Sequence, residues 1–123
     1  MKTKYQTITV TKANGTGAGR YTDAEQLDTD FDYCDGIQVK EIGDGGIPLY
    51  SIGIEDKNQT YHSIAHKDDF ISSTSVEPDK RYKGIFIPVI SGQKIEVKTE
   101  FEANLVAELK YQIIFRLRKK DKK

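Results

Sequence analysis

The chain contains no tryptophan, one cysteine, one methionine and three prolines in 123 residues. With Cys34 alone no internal disulfide can form, so a fold must rest on packing and hydrogen bonds, and a reducing compartment is permitted. No apolar run reaches the roughly 18 residues of a membrane helix. The opening MKTKYQTITVTK places threonines where a secretory signal needs an apolar stretch, so no signal peptide is expected. The sequons at Asn14 and Asn58 therefore carry little weight. Sustained helical periodicity is missing too: AEQLDTDF and EANLVAELK are the only short helix-like segments, the second fitting one helical turn before the last strand.

What is present is alternation. In residues 94–101, Ile95, Val97, Thr99 and Phe101 are apolar or β-branched, while Lys94, Glu96, Lys98 and Glu100 are charged. A period of two sends one set into a core and the other toward water or a polar neighbour. Residues 111–118 repeat the pattern, with Tyr111, Ile113, Phe115 and Leu117 opposing Gln112, Ile114, Arg116 and Arg118. The same reading predicts strands over 5–11, 20–27, 36–42, 49–55, 61–66, 83–89, 94–101 and 109–118. Turn residues at 43–46 and 56–58 punctuate them, and ANGTGAG at 13–19 reads as a flexible glycine-rich connection. One domain of this length holds one two-layer core. The expectation is an all-β fold, an eight-stranded antiparallel sandwich of the single jelly-roll type spanning 1–123, with a basic tail at 119–123. An immunoglobulin-like Greek key is the alternative, and the chain lacks the tryptophan and cysteine pair of its core.

Formal net charge is zero, but residues 1–60 carry ten acids and six bases, and residues 61–123 nine acids and thirteen bases. Either surface variation or complementary sides of neighbouring copies produces such a split. The ending RLRKKDKK holds six bases and one acid. A solvated terminus is the plainer reading, and contact with nucleic acid or an anionic membrane the sharper one.

Candidate chemistry is sparse. Asp28, Asp30 and Asp32 alternate like the start of a calcium loop, but an EF-hand needs Gly and Glu where this chain has Tyr33 and Val39. They are weak metal candidates beside an acidic, solvated turn. His62 and His66, with Asp68 and Asp69 beyond, would lie roughly 13 Å apart along a strand, too far for one small ion. Cys34 has no elbow or partner motif and reads as an inert thiol. GTGAG lacks the Lys-Ser/Thr ending of a phosphate loop. Tyr21, Tyr33, Tyr50, Tyr61 and Tyr82 offer rings for sugar stacking, with Tyr50 sharing the parity of Ile52 and Ile54 and so assigned to the core. Neither a cofactor nor a small-molecule substrate is implied, and no enzymatic activity is expected.

The segments DYCDGIQVKEIGDGGIPLYSIGI, SVEPDKRYKGIFIPVISGQKIEVKTEF and KYQIIFRL, over roughly residues 30–118, resemble the small single jelly-roll virion proteins of bacteriophages. The nearest likeness is to penton proteins at the fivefold vertices of tailless, icosahedral, membrane-containing phages. It lies in the order and size of the elements. The resemblance implies a structural capsid protein made in the host cytoplasm and located in the virion. It also implies a homopentamer that contacts the major capsid protein and anchors a spike protein. Minor capsid or head-decoration proteins are related alternatives, and a carbohydrate- or receptor-binding sandwich module is the competing class. In this reading Lys94, Glu96, Lys98, Glu100, Arg116 and Arg118 are the candidate subunit-interface residues, and the 13–19 loop a hinge for the N-terminal arm.

Overall fold

The computed structural model describes residues 2–47, 50–57, 59–67, 70 and 82–120. Leu49, Asn58, Asp68, Asp69, the SVEPDKR stretch at 75–81 and tail residues 121–123 lie outside the described residues. Among the described residues eight strands run in order: β1 (Lys2–Lys12), β2 (Gly19–Gln26), β3 (Tyr33–Asp44), β4 (Ser51–Glu55), β5 (Thr60–His66), β6 (Lys83–Pro88), β7 (Lys94–Phe101) and β8 (Leu109–Lys119). They form two four-stranded antiparallel sheets, β1-β8-β3-β6 and β2-β7-β4-β5. The protein is an all-β sandwich. AEQLDTDF and EANLVAELK form no helix: the first starts inside β2, and the second spends its backbone groups on other loops.

The alternation in β7 and β8 puts Ile95, Val97, Thr99 and Phe101 against Tyr111, Ile113, Phe115 and Leu117, all buried. Each large aliphatic or aromatic side chain so buried contributes about 1.5–3 kcal/mol. Tyr50 of the loop before β4 stacks on Tyr111 with centroids 5.6 Å apart, and the hydroxyls of Tyr111 and Thr99 bond to each other between the sheets. Two register shifts break the alternation of β3, between Cys34 and Gly36 and between Glu41 and Gly43. The first turns Asp35 outward onto the face of its sheet, where Arg116 and Arg118 lie.

Gln6 bonds Glu25 and the Gln26 carbonyl, and Lys12 pairs with Asp23, so β1 stands over β2 along one side of the sandwich. On the other side β5 touches β6. The glycine-rich connection is tied at one end of the molecule. Gly15 N–H donates to the Leu105 carbonyl at 3.0 Å, Leu105 N–H to Thr16, and Ala18 N–H to the Asn104 side chain. Val106 and Ala107 N–H groups both donate to the Gly45 carbonyl, drawing the β3–β4 turn into the same cluster. Positive φ at Gly45 and Gly46 makes that turn possible.

Candidate interaction surface

The outward face of the β1-β8-β3-β6 sheet departs most from an ordinary solvated surface. Register places Tyr5 opposite Arg116, Arg116 opposite Gly36, and Gly36 opposite Gly84, a row across all four strands. A side chain at Gly36 would meet the Arg116 guanidinium at 3.0 Å and Tyr82 Cβ at 3.3 Å, so its absence leaves a trough for both groups. In that trough Arg116 lies 4.9 Å over the Tyr82 ring, and Tyr82 packs 5.8 Å from Tyr5. One row on, Tyr33 stacks against Phe86 at 5.4 Å. Phe86 is 64% exposed and Tyr5 53%.

Asp35 sits among these rings. It accepts hydrogen bonds from Arg116 Nε at 2.6 Å and Arg118 Nε at 2.8 Å. Burial opposes its ionisation, yet the two guanidiniums hold its carboxyl below the ordinary 3.8. Arg118 also donates to Thr3. One carboxylate thus fixes two cations and leaves the cluster positive. Lys40 and Lys110 point to the same side further along β3 and β8.

The opposite outward face, on β2-β7-β4-β5, is balanced. Lys98 reaches Glu96 at 3.0 Å, Glu55 at 3.5 Å and the Thr22 hydroxyl, and Arg20 pairs with Glu100. The six charged interface candidates therefore divide between two opposite faces: Lys94, Glu96, Lys98 and Glu100 on one, Arg116 and Arg118 on the other.

The remaining candidates have local roles. Asp28 pairs with Lys4 at 2.5 Å and caps Asp30 N–H; the bond from Lys4 keeps its carboxyl below the usual range. Asp32 accepts from Lys120 N–H, tying the start of the basic tail to the β2–β3 loop. Among the described residues no three His, Cys, Asp or Glu side chains converge to hold a metal ion. His62 packs against Phe70 at 4.5 Å. Cys34 is fully buried, and burial pushes its thiol up to about 11. Tyr61 donates to Asp56, and Tyr21 packs on Phe101.

A cleft of about 550 Å³ opens at the loop end, with Ile47, Tyr50 and Phe101 as apolar walls and Ser51, His66 and Glu102 among its polar groups. Its Tyr50 wall is braced: the phenol donates to Glu41 at 2.7 Å, and Lys67 reaches the same carboxylate at 2.6 Å. Sequence reading missed Asp35, Tyr5 and Phe86, which only strand register brings together. No protein-family model matches this chain, and neither a curated protein nor a solved structure matches it.

Proposed function

We propose that the protein is a non-enzymatic structural component of a phage capsid, a penton protein that closes fivefold vertices as a homopentamer. In this proposal the sandwich is a single jelly roll. The strand order β1-β8-β3-β6 over β2-β7-β4-β5 is the observation that carries the reading, since it pairs the first strand with the last and the second with the seventh. Such nesting leaves two unlike open sides, β1 with β2 and β5 with β6. A ring needs a heterologous contact, in which one patch meets a different patch of the next copy. Unlike sides supply that. The charged row Lys94, Glu96, Lys98 and Glu100 lies beside the β2 edge and is the part of the interface set retained for lateral contact. Arg116 and Arg118 project from β8, an interior strand of the other sheet, away from the β2 edge.

The neighbours in this proposal are the major capsid protein and a spike protein, and the protein's place is the virion. Light scattering at high protein concentration tests the ring: a species of five chain masses supports it. A glycan-binding module is the second reading, favoured by the exposed rings at Tyr5 and Phe86. Saturable glycan binding by a monomer, lost on changing Tyr33, would select it instead.

A further inference from the structure

We infer that the outward face of the β1-β8-β3-β6 sheet binds single-stranded nucleic acid, with its backbone phosphates along β8 and bases on the exposed rings. Among the described residues the face carries four cations, Lys40, Lys110, Arg116 and Arg118, against the single carboxylate Asp35. On the opposite face the described cations Arg20, Lys94 and Lys98 are matched by Glu55, Glu96 and Glu100. A chain with zero formal net charge thus concentrates positive charge on one surface.

The placement makes a track. Three of the cations project from β8, an interior strand of the sheet, over about 27 Å from Lys110 to Arg118. Beside it stand the rings, Tyr5 on one flank and Phe86 on the other, each backed by a second ring. Stacking on such rings tolerates any base, while cations follow the backbone. Asp35 holds both guanidiniums in place before a ligand arrives, which lowers the ordering cost of binding.

An anionic lipid surface would also meet cations and aromatic rings. The polar groups between the rings argue for nucleic acid. Thr3, Thr7, Thr9 and Gln112 share this face by register, and burial against lipid would strip their water without replacement. Base edges and sugar hydroxyls would replace that water with hydrogen bonds. This inference goes beyond the capsid role and does not depend on a fivefold ring.

Fluorescence anisotropy of the full chain with labelled 15-mer oligo(dT) and oligo(U) tests it, with folding of each variant checked by circular dichroism. The expected log–log slope of affinity against salt is about −3, from four cations on a single strand. Phe86→Ala should weaken binding about tenfold, and Lys110→Ala should reduce the slope by about 0.7. Lys57→Ala removes the same charge from the exposed β4–β5 turn of the other sheet and should leave both nearly unchanged. Absence of binding, or equal losses for Lys110→Ala and Lys57→Ala, overturns the inference. So does sedimentation with phosphatidylglycerol vesicles without oligonucleotide binding, which would make the face a lipid surface. A change of oligomeric mass in Phe86→Ala, again without oligonucleotide binding, would make it a protein contact and equally end the proposal. None of these failures removes the capsid reading, whose test is the particle itself.

Discussion

The Tyr111 hydroxyl of β8 meets the Thr99 hydroxyl of β7 in the sealed space between the two sheets. Both residues are fully buried, so each is the other's means of satisfying a polar group away from water. Burial raises the Tyr111 phenol above its ordinary value, with the Thr99 bond working against the rise, and the group stays neutral.

Tyr111→Phe should therefore leave the Thr99 hydroxyl stranded and cost about 1–3 kcal/mol. Thr99→Val should cost a similar amount, and the double variant clearly less than the sum. Urea unfolding of the three variants and the parent chain measures this cycle.

Asp35 predicts a pH signature. Its folded carboxyl lies below the ordinary 3.8, so folding favours the ionised form. The stabilisation is complete above that value and is lost as pH falls through the lower folded one. Asp35→Asn should lose about 1 kcal/mol at neutral pH. In urea midpoints taken from pH 7 to pH 3, its gap to the parent should narrow toward acid.

Cys34 should be silent toward thiol reagents while the sheets are intact. Its raised thiol pKa, about 11, comes first from burial, which leaves almost no thiolate at pH 8. An Ellman assay should show slow labelling of native protein and prompt labelling in guanidinium. Cys34→Ala should cost about 1 kcal/mol by opening a small void.

Gly53 marks a close approach between β4 and β5. A Cβ there would sit 2.7 Å from Ile64 Cγ1 and 3.2 Å from the Ile64 backbone. Gly53→Ala should force the strands apart, with a loss of about 1–3 kcal/mol visible as a lower thermal midpoint.

Most of the sandwich could be read from the chain because its strands alternate cleanly. Residues 94–101 and 109–118 declared both their extent and their inward side. β3 was harder. Its bulges at Cys34–Gly36 and Glu41–Gly43 interrupt the period of two, so the predicted strand began at Gly36, three residues after the observed start at Tyr33. EANLVAELK at 102–110 looks helix-like and fits one turn before the last strand; the backbone groups of Leu105, Val106 and Ala107 bond the Gly15–Thr16 and Gly45 loops instead. The aromatic face was illegible for another reason. Tyr5, Tyr33, Tyr82 and Phe86 come from separate segments, and nothing local joins them. Only the pairing of β1 and β3 with β8, and of β6 with β3, assembles the face. Parity placed Arg116 and Arg118 outward but could not reveal that Asp35 would claim both.

A three-dimensional map of purified particles tests the shell assignment most directly. Five copies of an eight-stranded sandwich around each fivefold axis, with β1–β2 sides facing β5–β6 sides, is the arrangement expected. Particles that lack this chain altogether would contradict it.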